Sequence, residues 1–446
     1  MSVALSTGST RRQFLAHAGA AVATTSVSKL WGQDTPAKPI RPRVAAVFTE
    51  LRFRSHAFNI LENFLEPYVF RGQKTESGMD VVSFYVDQFP PNDMARDVSR
   101  RYGIPIYKTI AEALCRSGRK LDVDAVLLIG EHGAYPYNEL GQHEYPRKQF
   151  FDQIAAVVAT AGRGVPVFND KHLSYRWDWA KEMYDTSRKL GITLMAGSSV
   201  PLAQRMPMLD LPAGAKITEA VAVHGGGLES YDFHGLEVLQ SMVENRAGGE
   251  TGVSRVQFLE GDALKKATDD GRWSPALMQA ALAAEGTSRN IPAEKLNIAP
   301  THGILIDYKD GLKGTVLKIG GNSVRWNFAC RIEGETEPRA VHFYTGPWGN
   351  RNLFMGLSHA IQYLFRENKP PYSVERTLLT GGILDASMHS RHQHSASLAT
   401  PQLEFAYEPV DFRSQRETGD SWKVITSESP EPREILRGGI ARLIQR

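Results

Sequence analysis

Two residues of this chain have the chemistry and the setting for moving a proton on a hydroxylated substrate, Lys171 and His234. Lys171 follows the run Val165-Pro166-Val167-Phe168-Asn169-Asp170. A lysine at the carboxyl end of a buried strand loses hydration, which lowers its pKa toward the range where it works as acid or base. His234 could share that proton, with Asp170 orienting the lysine. The pair serves two reactions. It can remove a hydroxyl proton while a hydride leaves the same carbon, or take the proton α to the carbonyl of a keto-sugar. Residue types alone do not separate them.

A second chemistry-bearing stretch is the polar, aromatic segment Gly130 to Arg147, which holds Glu131, His132, Tyr135 and His143. Ligands of open α/β sheets bind outside the carboxyl ends of the strands, so these four are expected substrate contacts, with Tyr231 beside them. Histidines and carboxylates this close also raise a divalent metal, although the spacing matches no standard ligand signature. His389, His392 and His394 form a later group, in which the first two share a helical face. Tyr344 and Trp348 could offer flat faces to a sugar ring, but aromatics more commonly fill a core.

The elements that must position these residues alternate in the first half. Strands are expected at 43–48, 80–86, 104–107, 125–129, 165–169 and 193–196, with helices at 56–68, 93–102, 110–116, 147–161 and 177–190. Continuous Val, Ile and Leu strands separated by helices imply a parallel sheet covered on both faces. From Ile217 onward strands dominate, at 218–223, 252–259, 303–307, 314–318, 324–331 and 340–344. The fold class expected is therefore an α/β Rossmann-like parallel-sheet domain followed by an α+β domain with a largely antiparallel open sheet. The divisions expected are a leader and linker over 1–36, domains over 37–198 and 199–410, and a tail over 411–446.

This order of parts, with Asp170-Lys171-His172 closing a strand and the glycine-led segment Gly225 to His234 opening a helix, resembles the Gfo/Idh/MocA oxidoreductases. The resemblance covers roughly residues 43 to 390. In that family the strand normally closes on Glu-Lys-Pro, so the lysine is kept here while the acid is shortened and the proline replaced. The resemblance implies that Lys171 reaches the reacting sugar carbon, that His234 faces the substrate, that NAD or NADP is held tightly, and that the chain forms a homo-oligomer. One departure bears on the cofactor. The turn Thr49-Glu50-Leu51-Arg52-Phe53-Arg54-Ser55 has no glycine, whereas a pyrophosphate cradle needs residues without Cβ for close backbone approach. Arg52, Arg54 and Ser55 are then the expected phosphate contacts through their side chains. Asp87, at the end of the second strand, is the expected ribose acceptor. A nicotinamide-independent lyase or hydrolase, or a noncatalytic carbohydrate-binding relative, are the alternatives that the missing glycines leave open.

Composition bounds the class of partner. The 446 residues are 42% hydrophobic and 23% charged with a net charge of +3, and no basic run interleaves with aromatics. Nucleic acid is not an expected partner. The two cysteines, Cys115 and Cys330, fall in different halves and form no disulfide framework. At the front of the chain, Thr10-Arg11-Arg12-Gln13-Phe14-Leu15 precedes the apolar run Ala16 to Ala23, far short of the ~20 residues that span a bilayer. That pattern is a twin-arginine export signal. It implies the twin-arginine machinery as a partner, a periplasmic destination without a membrane anchor, and a cofactor loaded before export.

Overall fold

The computed structural model describes residues 41–296 and 298–445; the twin-arginine segment lies outside them. The first half contributes strands β1 (Arg43–Phe48), β2 (Tyr68–Phe70), β3 (Gln73–Thr75), β4 (Asp80–Val86), β5 (Ile106–Tyr107), β6 (Ala125–Ile129), β7 (Val167–Asp170) and β8 (Leu194–Gly197). Its helices are α1 (His56–Leu65), α2 (Ala95–Tyr102), α3 (Ile110–Cys115), α4 (Arg147–Ala161) and α5 (Trp177–Leu190). Six of these strands form one sheet in the order β5-β4-β1-β6-β7-β8, and every pairing in it is parallel. The strand order is that of a doubly wound nucleotide-binding sheet, whose topological switch point falls between β1 and β6. Each of those two central strands is almost wholly buried and reads as an unbroken apolar run, because helices cover both faces.

The second half contributes β9 (Gln204–Met206), β10 (Ile217–His224), β11 (Val253–Glu260), β12 (Pro300–Tyr308), β13 (Lys313–Ile319), β14 (Trp326–Ile332), β15 (Arg339–Tyr344) and β16 (Leu398–Ala399). Its helices are α6 (Ser230–Val243), α7 (Gly261–Asp269), α8 (Pro275–Arg289), α9 (Asn350–Glu367) and α10 (Val374–His392). The eight strands run β16-β11-β12-β13-β10-β14-β15-β9, with β10 and β13 parallel and the rest antiparallel. Side chains of β10 alternate by face. Ala220 and Ala222 join the core under α6 and α10, while Val221 and Val223 join the core under α7 and α8. The fold class expected from the sequence is the one observed.

Two features tie the halves together. A single apolar core runs from Val44 and Phe48 through Phe258 and Leu379 to Phe412 and Ile435. The chain after Pro401 returns to the first half, where Arg71 donates to the carbonyls of Arg413 and Arg416 and Arg101 donates to that of Ile435.

Candidate active site

Lys171 directly follows β7 and takes φ 63°, so its side chain leaves the strand end toward the start of α6. There its Nζ lies 2.9 Å from Glu131 Oε1 and donates to Ser230 Oγ at 2.5 Å. Glu131, just past β6, is buried between Lys171 and the fully buried Arg147, which bonds its other oxygen. Burial by itself would raise the Glu131 pKa; the charges of Lys171 and Arg147 outweigh it and hold the carboxylate well below its usual range.

Asp170 has a different partner from the one expected. It does not orient Lys171; its Oδ2 lies 2.6 Å from Nδ1 of His56, the first residue of α1. Asp170, the last residue of β7, and Lys171, which follows it, thus take separate partners because successive side chains along an extended chain point to opposite sides. His56 is a candidate site residue that was not expected from the sequence. Its only signal was Ser55-His56 at the mouth of the first helix, where a nucleotide-binding turn would carry small residues.

His234 also reaches this cluster. Its Nδ1 is 2.6 Å from Ser198 Oγ, and that oxygen accepts from the backbone N–H of Val200. Burial, then Lys171 and His56, hold its pKa well below the ordinary value, so it works as a neutral imidazole. His132 is neutral for the same reason: burial, then His56, push it down to about 3, and its Nε2 is buried without a hydrogen-bond partner. The rings of His56 and His132 meet edge to face at 5.0 Å. His172 turns the other way, toward Glu229 at 3.3 Å. His132, Lys171 and Glu229 are all non-glycine residues with φ between 63° and 71°. Left-handed backbone at such residues costs on the order of 1–3 kcal/mol each and concentrates where function requires it.

The remaining expected contacts divide. Tyr231 stacks on Trp326 with ring centres 5.5 Å apart, next to His234. Tyr135 joins the residue just past β4, and His143 stays with its own loop. Tyr135 donates to Asp87 at 2.5 Å, and His143 bonds the Tyr135 carbonyl and stacks between Tyr137 and Tyr145. Trp348 is buried against the returning chain, donating to the Ser429 carbonyl.

The residues of the turn after β1 do not fit a dinucleotide laid across it in the usual way. Glu50 buries a carboxylate where a pyrophosphate needs positive partners, and it takes the Arg52 guanidinium at 2.5 Å. Arg52 also contacts His132, and Arg54 bonds Glu431 and the Trp348 carbonyl. Ser55 is buried as the cap of α1, accepting from Phe58 N. Asp87 accepts from the hydroxyls of Tyr85 and Tyr135. At the switch point itself, Thr49 Oγ1 donates to the Glu131 carbonyl at 2.7 Å and joins the two segments that would flank a ligand there. Each of the four expected cofactor contacts is thus committed to protein.

The expected metal groups do not assemble. Glu131, His132 and His143 go to Lys171 and Arg147, to Arg52 and to a carbonyl; His392 and His394 are exposed, and His389 lies 3.8 Å from Asp385. Among the described residues, His224, Asp232 and His302 are the one set of three donors close enough to share an ion. Both imidazole Nε2 atoms bond the same Asp232 oxygen, at 2.9 and 2.7 Å, and the other oxygen accepts from Glu229 N. The set closes as a hydrogen-bonded network that fastens α6 to β10 and β12.

No family model and no curated protein matches this chain. Solved structures do. A probable dehydrogenase from Thermotoga maritima is 12% identical with a TM-score of 0.50, over 81% of this chain and 99% of its own. GenD2 from gentamicin A biosynthesis, in complex with NAD, is 13% identical with a TM-score of 0.51, over 80% of this chain and 96% of its own. The scyllo-inositol dehydrogenase from Lactobacillus casei, with bound NAD(H) and scyllo-inositol, is 11% identical with a TM-score of 0.50, over 81% and 99%. Identity at this level carries architecture and no further, and the architecture is shared: this chain has the fold of those dehydrogenases.

Proposed function

We propose that this protein is an acid–base enzyme, a lyase in reaction class, that acts on a sugar or sugar derivative through Lys171 and His56. The observation that carries the reading is the convergence of two side-chain pairs, Lys171 with Glu131 and His56 with Asp170, at the carboxyl end of β7. Lys171 already holds an alcohol oxygen, that of Ser230, and a substrate oxygen in its place would meet the same ammonium. His56, its Nδ1 fixed by Asp170, presents Nε2 as the base. In this chemistry His56 takes the proton α to a carbonyl, the Lys171 ammonium stabilises the enediolate oxygen, and the β-substituent leaves with a proton returned from the enzyme. Neutral His234 meets a substrate hydroxyl through Nε2. The sugar class is supported by this set of hydrogen-bonding groups and by the fold likeness to an enzyme solved with scyllo-inositol.

A second reading is an oxidoreductase on the same substrate class with tightly held NAD or NADP. The fold likeness favours it, including two structures solved with that cofactor. Export by the twin-arginine route, through Arg11 and Arg12, belongs to either reading, as does self-association of the chain. The two readings part on two measurements. Under the lyase reading, a panel of keto-sugars in D2O exchanges the α proton by NMR, Lys171→Ala and His56→Ala each slow this about a hundredfold or more, and acid-denatured protein releases no nicotinamide. Stoichiometric release of nicotinamide dinucleotide, without exchange, establishes the oxidoreductase instead.

A further inference from the structure

A separate cavity of about 880 Å³ lies between the far end of the Gly130–Arg147 segment, the start of α5 and the last turns of α10. None of Lys171, Glu131, His56, Asp170 and His234 lines it. Its walls carry the aromatic rings of Tyr175, Trp177 and Trp179, of which both indoles are only half-buried and keep part of their surface on the cavity. They also carry four carboxylates, Glu139, Glu144, Asp178 and Asp385. Against these stands one permanent cation, Arg176, paired with Asp178 at 2.5 Å. The wall is built rather than loose. Asp385 accepts from the buried Gln142 amide at 2.9 Å and from the Trp177 backbone at 3.1 Å, and the same Gln142 amide donates to the Tyr175 carbonyl.

We propose that this cavity is a second ligand site, for a saccharide that is neutral or carries amino groups. Trp177 is packed on Phe405 with ring centres 6.1 Å apart and Trp179 carries the Arg176 guanidinium over one face at 4.5 Å, so the remaining Trp179 surface and the Trp177 edge are what meet the C–H surfaces of pyranose rings. Carboxylates, Asp385 among them held in place by Gln142 and the Trp177 backbone, accept hydrogen bonds from sugar hydroxyls and are stronger acceptors than neutral groups. The excess of negative charge repels phosphorylated or acidic sugars and attracts ammonium groups. The volume is in the range of small-molecule sites and accommodates several sugar units.

The site stands apart from the Lys171 chemistry, so its test reads binding and not turnover. The full-length protein is titrated by calorimetry with a panel of neutral and glucosamine hexasaccharides and with a galacturonate hexasaccharide. At least one neutral or amino member binds, the acidic one binds about tenfold more weakly or not at all, and Trp179→Ala weakens binding about tenfold or more. Exposed Glu139→Lys, which leaves the fold intact, weakens the glucosamine oligomer in particular. Lys171→Ala leaves the affinity unchanged. The proposal is overturned if no member of the panel binds, if the acidic oligomer binds best, or if Lys171→Ala abolishes binding while Trp179→Ala and Glu139→Lys do not.

Discussion

At the scale of single residues, Glu131 carries the most consequence. It balances two buried cations at once, so Glu131→Gln leaves Lys171 and Arg147 without a charge partner in a dry setting. Breaking a buried ion pair from one side costs about 3–5 kcal/mol. The urea midpoint of Glu131→Gln is expected to fall accordingly, and a midpoint within error of wild type contradicts the arrangement. Because the folded-state pKa of Glu131 is depressed, its stabilisation is present above the ordinary carboxylate range and is lost as pH falls below it. Asp170→Asn tests the other unit. It keeps the shape while removing the charge that fixes His56, so it is expected to lower the α-proton exchange rate while Lys171→Ala in the same background lowers it further.

At the scale of elements, the entry to α6 brings substrate-side and structural residues onto one turn. Ser230 meets Lys171, Tyr231 stacks on Trp326, Asp232 locks to two histidines, and His234 faces the cluster. This turn depends on Gly226, since a Cβ there would stand 1.8 Å from the Tyr231 ring. Gly226→Ala forces Tyr231 off Trp326. Overpacking of this kind costs about 1–3 kcal/mol, and circular dichroism melts of the variant are expected to show that loss together with reduced α-proton exchange. The capped start of α1 makes a smaller contribution: Ser55→Ala removes an N-cap worth about 1 kcal/mol. That substitution tests the role of Ser55 directly, because a capping serine changes stability whether or not any anion is present.

At the scale of the whole molecule, one core joins the halves and the returning chain, so the protein is expected to unfold in a single step. Tryptophan fluorescence and far-ultraviolet dichroism should give coincident urea transitions; separated midpoints would show that the sheets unfold independently. Acid weakens the fold through its buried histidines. Burial is the leading cause that holds His132 to about 3 and His342 and His359 to about 4, against an ordinary value of about 6.5. Below about pH 6.5 the unfolded chain therefore binds more protons than the folded one, and stability falls as pH drops toward 4. His359→Phe, which keeps the stacking on Phe70, is expected to flatten that slope in urea midpoints measured across the range.

What the sequence determined by itself was local pattern. Unbroken apolar runs between helices dictated the parallel sheet, and the helix over 147–161 appears with those bounds because its periodicity and the Gly162 stop are contained in adjacent residues. The strand end that carries Lys171 and the helix start that carries His234 were legible for the same reason. Short pieces stabilised only by distant partners were not: β2 with β3, β9 and β16 are two or three residues long and exist through pairing or packing made by the fold. The pairing of charges belongs wholly to tertiary structure. That Asp170 takes His56 from 114 positions away, that Glu131 takes Lys171, and that Tyr135 and Glu431 occupy the partners expected for a cofactor follows from where the strand ends meet. Spacing along the chain cannot express such contacts, because the direction of a side chain at a turn is set by backbone angles that only the closed fold holds in place.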